Sequence, residues 1–162
     1  RALTGITERR LHQRLLRVRP RRTVHDLRNA YPTVITVDRD HFTLRLFKRL
    51  RISKRYGIAV GMAGLETPRG FYRIQDKQVN PAWHVPRRAW AGSLQGQTIP
   101  GGAANNPLKA RWMGIANGVG IHGTAEDYSI GSRASHGCIR MHVWDVKDLF
   151  RRVSVGTPVL IQ

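Results

Sequence analysis

From residue 31 onward the chain carries short runs in which apolar and polar residues alternate, the period of half-buried β-strands. The segments DRDH and KRL separate the first runs as turns, which predicts an antiparallel meander. Further runs of this kind lie at 71–74, 112–115, 119–122 and in the terminal TPVLIQ. The first three runs are marked by Val34, Ile35 and Val37, by Phe42, Leu44 and Leu46, and by residues 52–60.

One segment near the C-terminus has the period of an amphipathic helix instead. Within HVWDVKDLFRRV, five apolar residues fall on one helical face, and Gly156 is expected to end the helix. The chain is therefore predicted to be mainly β with one packed helix. The five residues are Val143, Val146, Leu149, Phe150 and Val153.

The first 30 residues differ in composition from the rest. Apolar residues recur at helical spacing in LHQRLLRVRP until Pro20, and Thr23 with Asp26 resembles a capping box for a second short helix. We interpret residues 1–30 as a basic helical linker or the remnant of a preceding domain, and residues 31–162 as one compact domain. A disordered basic arm is the alternative for residues 1–30.

A long stretch between Asn80 and Lys109 is rich in proline and contains PGGAANNP. A loop region of this length that carries Trp83 and Trp90 is typical of a functional lid or a binding loop. The alternative is a plain excursion that buries both tryptophans in the core.

The charge balance is strongly basic, with 28 lysines and arginines against 10 acidic residues and a net charge of +18. Residues 1–30 alone carry nine arginines. Such a chain attracts polyanions, of which nucleic acid, anionic lipid and acidic wall polymers are all candidates. A solvated arginine-rich surface without a specific partner is the alternative.

Nothing in the chain has the length of an apolar transmembrane helix, and no signal segment opens it. Because the chain begins with Arg1 rather than methionine, we expect any export or anchoring signal to lie outside it.

Cys138 is the only cysteine, so it cannot form an intramolecular disulfide. A catalytic thiol needs an imidazole to take its proton and backbone N–H groups to hold the oxyanion that forms after attack. His122 ends a β-like run and precedes Gly123, while Gly137 permits a tight turn that leaves N–H groups pointing outward. This spacing predicts a Cys/His nucleophilic site. An inert buried cysteine is the alternative.

Other roles compete for the neighbouring residues. His122, His136, Cys138 and His142 have enough ligand atoms for zinc, but their spacing is not that of common zinc motifs. We interpret His136 as a structural histidine that bonds backbone. Arg140 could favour the thiolate, bind a carboxylate, or lie on the surface without a role.

The stretch IHGT followed by SHGCIRM resembles the signature of the L,D-transpeptidase catalytic domain, the YkuD-type family. Twelve residues separate His122 from Ser135 in this pattern. Upstream, VITVDRDHFTLRLF, IAVGMAGLETPRGFYRI and NPAWHVP resemble the family's opening strands, its Thr-Pro-x-Gly segment and its proline-containing loop. VGTPVLIQ resembles its closing strand, so that the resemblance covers residues 31–162.

The resemblance implies a β-sandwich-like catalytic domain with a short helix, and it implies site roles. Cys138 would be the nucleophile, His122 the general base, and the Gly123 carbonyl an acceptor that orients the imidazole. The N–H groups of His136, Gly137 and Cys138 would form the oxyanion hole. Arg140 and Ser135 would contact the substrate.

The implied reaction needs no cofactor or metal. Cys138 would attack a peptidoglycan tetrapeptide stem at the diaminopimelate L-centre and release D-alanine. A second diaminopimelate amine would then take the acyl group and complete a crosslink. Carbapenems would react with the same thiol. The implied location is extracytoplasmic, in the cell envelope or cell wall.

Two alternatives to this function remain open at the level of sequence. The first is a peptidoglycan L,D-carboxypeptidase or cysteine peptidase that uses water as acceptor. The second is a non-enzymatic basic module that binds the wall or nucleic acid, with an incidental cysteine. The expected partners are stem peptides, with anionic cell-wall polymers as further candidates and no nucleic acid.

Overall fold

The computed structural model of the chain describes residues 23–162. The helical pattern predicted in LHQRLLRVRP lies outside these residues. A boundary between two compact units falls after Ala30. Helix α1, Val24–Ala30, begins as the capping box predicts, because the Thr23 N–H donates to Asp26 Oδ2 at 2.7 Å and the Asp26 N–H donates to Thr23 Oγ1 at 3.1 Å. The linker role of residues 1–30 stays a prediction.

Residues 31–162 form a curled sheet of ten strands and a separate two-stranded hairpin. The strands are β1 Thr33–Asp38, β2 Thr43–Lys48, β3 Arg51–Gly61, β4 Gly70–Arg73, β5 Asp76–Val79, β6 Trp83–His84, β7 Thr98–Ile99, β8 Lys109–Ala116, β9 Val119–Thr124, β10 Arg133–Ser135, β11 Ile139–His142 and β12 Pro158–Ile161. The order in the large sheet is β4-β12-β1-β2-β3-β11-β9-β8-β5, with β10 beside β3, while β6 pairs with β7.

The opening meander follows from its alternating pattern. Ile35 pairs with Leu46 and Val37 with Leu44 across β1 and β2, and all four side chains are fully buried. Their polar neighbours face outward, so a slip of one residue would move the whole apolar set into water. The predicted mainly β fold is confirmed.

Helix α2, Val143–Arg152, is the predicted packed helix. It buries Val146 and Leu149 against β8, β9 and β11. The helix ends at Arg152 and not at Gly156, because the buried Val153 adopts an extended conformation. Lys77 caps this end by donating from Nζ to the carbonyl of Val153 at 2.6 Å.

Five short strands were not predicted, namely β5, β6, β7, β10 and β11. They have two to four residues each, which is too short for a clear alternating pattern. The most important is β11, because it lies between β3 and β9 and begins directly after Cys138. The sheet therefore fixes the backbone on the C-terminal side of the thiol.

The segment between β5 and β8 is neither a bare loop nor part of the main core. It contains the β6–β7 hairpin and a 3₁₀ helix, Ala89–Leu94, which surround a small apolar cluster of Val85, Ala91 and Ile99. Trp83 packs against this cluster, whereas Trp90 is 36% exposed. The alternative in which both tryptophans enter the core is wrong for Trp90.

Among the helices of the described residues, none combines the length and the apolar composition that a membrane crossing requires.

Candidate active site

The parallel pairing of β11 with β9 brings the two ends of the IHGT…SHGC motif together. Ile139 lies beside Ile121 and Arg140 beside His122 in the register of these strands. Since successive side chains point to opposite faces, Ile139 and Ile121 enter the core, while His122, Arg140 and Cys138 share the other face. All three line one pocket.

This pocket has a volume of about 720 Å³, which is large enough for a peptide segment. One wall comes from the β5–β8 segment, where Trp83 and Trp90 line the opening, so the predicted binding loop does border the site. Trp90 stacks on His136 with ring centroids 4.0 Å apart and planes 12° apart. The predicted structural histidine therefore rests on an aromatic ring rather than on backbone.

His122 is buried, and its ring orientation is fixed by its own neighbour in sequence. Nδ1 lies 2.9 Å from the Gly123 carbonyl oxygen, as predicted. Because a carbonyl can only accept, Nδ1 must carry the hydrogen, which leaves the lone pair of Nε2 free. The ring also stacks against Trp112 at a centroid distance of 6.1 Å.

The electrostatic surroundings keep the His122 ring neutral. Burial is the main cause that lowers its pKa to about 4, the Gly123 bond opposes this shift, and the positive Arg140 adds to it. Near neutral pH the imidazole is therefore an unprotonated base.

Cys138 is partly exposed in the loop between β10 and β11, and its sulfur lies 3.7 Å from the Gly118 carbonyl. Burial of the sulfur raises the pKa of the thiol, although the Gly120 N–H and Arg140 oppose this effect. The resting state is therefore a neutral thiol near a neutral imidazole, with the thiol directed to Gly118 rather than to His122.

The hydrogen bonds of the loop before Cys138 bear on two predicted roles. The Ser135 hydroxyl is buried, donates to the Cys138 carbonyl at 2.5 Å and accepts the Gly137 N–H at 3.1 Å. Ser135 thus shapes the turn, and its hydroxyl hydrogen is already donated within the protein. The Gly137 N–H is likewise occupied and is not an available oxyanion donor. Within residues 23–162, the N–H groups of His136 and Cys138 have no such partner.

Thr67 holds this loop through hydrogen bonds to the backbone, a role that was not predicted. Its hydroxyl donates to the Gly137 carbonyl at 2.8 Å and accepts the Gly61 N–H at 2.9 Å. Arg39 donates in turn to the Thr67 carbonyl. Gly137 has a φ of +113°, a conformation that glycine adopts readily and that residues with a side chain disfavour. The only signal in the sequence was the Thr-Pro-x-Gly segment.

Replacing Thr67 with valine is expected to lower the free energy of unfolding by about 2–4 kcal/mol. Valine has the same shape but leaves the Gly61 N–H and the Gly137 carbonyl buried without partners. Chemical denaturation measures this change. Thr67→Ser retains the hydroxyl and should keep most of the stability; an equal loss in both variants would contradict the assignment.

Arg140 faces the pocket with only 13% of its side chain exposed and forms an ion pair with Glu126, with 2.6 Å between Nη1 and Oε2. The carboxylate that Arg140 binds in this structure is therefore one of the protein's own, that of Glu126. Its positive charge also lowers the pKa of both His122 and Cys138.

The alternative zinc site is not formed. No group of three or more His, Cys, Asp or Glu side chains in the described part of the chain is arranged to hold a metal. His142 instead bonds Asp127 at 2.7 Å and stacks on Trp144.

Acid should destabilise the fold through His122. The unfolded chain binds a proton at this histidine below about pH 6.5, whereas the folded chain resists protonation until about pH 4. Protonation of His122 therefore costs no stability above pH 6.5. As the pH drops towards 4, it lowers the free energy of unfolding by roughly 3 kcal/mol. Denaturation of the wild type and His122→Gln at several pH values measures this difference. Parallel pH dependences in the two proteins would contradict it.

Comparison with known proteins adds an independent finding. The model of the family described as YkuD, L,D-transpeptidase catalytic domain, matches residues 32–161. YqjB of Bacillus subtilis is 39% identical over 112 residues, which are 65% of this chain and 57% of YqjB. YkuD of Bacillus licheniformis is 39% identical over 134 residues, which are 82% of this chain and 67% of that protein. The chain thus spans about 60% of the length of these two relatives.

Among solved structures, the fold is similar to the catalytic domain of the E. faecium L,D-transpeptidase acylated by ertapenem. The TM-score is 0.64 at 27% identity, and the match covers 82% of this chain and 98% of that domain.

Proposed function

The chain belongs to the YkuD family of L,D-transpeptidase catalytic domains, and from this premise we propose that it transfers peptidoglycan stem peptides through an acyl-enzyme on Cys138. The observation that carries the proposal is the shared pocket face of Cys138, His122 and Arg140, produced by the β9–β11 register. The acylated E. faecium domain supports a covalent mechanism in this fold.

The first step is deprotonation of Cys138. Rotation of its side chain away from Gly118 directs the sulfur to Nε2 of His122, whose lone pair is free because Nδ1–H is bonded to Gly123. The thiol gives its proton to Nε2 as the sulfur attacks. Since both groups are neutral at rest, the charge separation develops only during attack.

The sulfur attacks the carbonyl at the diaminopimelate L-centre of a tetrapeptide stem. The backbone N–H groups of His136 and Cys138 then stabilise the oxyanion, since the Gly137 N–H is bonded to Ser135. The C–N bond breaks, the proton on Nε2 moves to the leaving amine, and D-alanine departs. A thioester remains on Cys138, and no cofactor is required.

The second step transfers the acyl group to the side-chain amine of another diaminopimelate. The amine attacks the thioester and gives a proton to Nε2, which passes it to the leaving sulfur. An amide crosslink and a free thiol result. Arg140 would bind a carboxylate of the stem by exchanging its contact with Glu126, whose side chain is half exposed.

The proposed substrate places the protein outside the cytoplasm, in the cell envelope. The net charge of +18 also supports retention on anionic wall polymers, an interaction that salt would weaken.

Incubation with a diaminopimelate tetrapeptide, followed by chromatography and mass spectrometry of the products, tests this function. A tetrapeptide dimer lacking one D-alanine is expected. Exclusive formation of tripeptide would instead establish a carboxypeptidase that uses water. No product, together with no meropenem adduct on Cys138, would indicate a binding module.

A further inference from the structure

The turn between β2 and β3 has an unusual sequence for its shape. Only Arg49 and Leu50 connect the paired residues Lys48 and Arg51, and their φ angles are +49° and +63°. Two-residue hairpin loops with positive φ at both positions strongly favour Asn-Gly or Asp-Gly. A bulky residue such as Leu50 is strained in this conformation. The chain nevertheless holds an arginine and a leucine there.

The residues next to this turn repeat the combination of positive charge and apolar surface. We call residues 49–55 the hairpin tip. Arg49, Arg51 and Arg55 have no carboxylate within 4.0 Å in the part of the chain that the structure describes, and all three are exposed. Leu50 and Ile52 are 41% and 43% exposed. The tip contains no acidic residue.

We propose that the hairpin tip docks the protein on a lipid bilayer that carries anionic headgroups. Unpaired arginines are attracted to the surface charge of such a bilayer, and the aliphatic side chains between them can enter its interfacial layer. A soluble polyanion would satisfy the arginines alone and would leave Leu50 and Ile52 in water. The mixed chemistry of the tip therefore favours the bilayer.

The position of the tip is compatible with catalysis at the pocket. The tip lies at the beginning of β3, whereas Gly61 at the end of β3 bonds Thr67 beneath the Cys138 loop. Eleven residues of extended strand separate the two ends by roughly 30 Å. Docking through the tip thus leaves the pocket open to a substrate.

Vesicle binding distinguishes the tip from the general positive charge of the chain. The probes are vesicles of phosphatidylcholine and of phosphatidylcholine with phosphatidylglycerol at equal amounts, measured by co-sedimentation. Replacing Arg49, Arg51 and Arg55 with glutamine should reduce partitioning on the anionic vesicles on the order of 100-fold. The matched control replaces Arg9, Arg10 and Arg14, an equal change in charge. An equal or larger loss in the control would overturn the proposal.

A second experiment tests the apolar residues of the hairpin tip. Leu50→Ser with Ile52→Ser should reduce partitioning on anionic vesicles about 10-fold and leave binding to soluble polyphosphate unchanged. If this variant partitions as strongly as the wild type, the positive charges alone account for binding, as they would with a soluble polyanion. That result would overturn the proposal. Unchanged meropenem acylation of Cys138 verifies that each variant is folded.

A fluorescent label reports insertion directly. Leu50→Cys, labelled with a polarity-sensitive dye in a Cys138→Ser background, should shift to shorter wavelength on anionic vesicles. The same label at Tyr128→Cys, a position that is 85% exposed in the wild type, should not shift. No shift at position 50, or equal shifts at both positions, would contradict docking through the tip.

Discussion

Replacing Cys138 with serine is expected to abolish crosslink formation, with a loss on the order of 10⁴-fold or more in the rate of acylation. The sulfur is the proposed site of the covalent bond, and a serine hydroxyl is a weaker nucleophile with a much higher pKa than a thiol. The rate of tetrapeptide dimer formation measures the effect, and intact-protein mass spectrometry after incubation with meropenem measures the adduct.

The control for this prediction is stability. Cys138 is partly exposed and bonds only weakly to Gly118, so Cys138→Ser should change the free energy of unfolding by about 0.5 kcal/mol or less. A folded Cys138→Ser protein that still forms the dimer at the wild-type rate would exclude the proposed nucleophile.

The second large effect is expected for His122→Gln, which should slow acylation by about 10²–10⁴-fold near neutral pH. Glutamine can still donate to the Gly123 carbonyl but cannot take the proton of the thiol. Because burial raises the pKa of the Cys138 thiol, little thiolate exists without the base. Single-turnover acylation by meropenem measures the rate, and raising the pH should restore part of it.

His142→Gln is the matched control for this substitution. His142 lies at the end of β11, two residues beyond Arg140, and bonds Asp127 rather than any group of the site. Its replacement should change the rate of acylation less than 10-fold. Similar losses in His122→Gln and His142→Gln would argue against a specific base.

The sequence predicted the fold where burial imposes a long regular pattern. The β1–β2–β3 meander and helix α2 each place several apolar residues on one face, and these elements were correctly located. The end of α2 was misplaced because Val153 continues the apolar pattern after the backbone has become extended. The spacing of apolar residues does not show where the backbone changes from helical to extended.

For the proposed site, the sequence predicted one hydrogen bond of His122 and missed those of the loop before Cys138. The motif identified His122, Gly123 and Cys138, and the expected Gly123 bond is present. Ser135 and Gly137 were assigned to the substrate and the oxyanion, yet they bond each other. Thr67 bonds Gly137 across 70 positions of sequence. Contacts of this kind depend on the tertiary fold and leave no local pattern.

The pH dependence of Cys138 acylation by meropenem tests the central claim most directly. If His122 removes the proton from a neutral thiol, the rate should be nearly constant between about pH 5 and 8 and should fall below about pH 4, where the imidazole becomes protonated. A rate that instead rises about tenfold per pH unit across this range would show attack by a thiolate formed without His122, and would contradict the account.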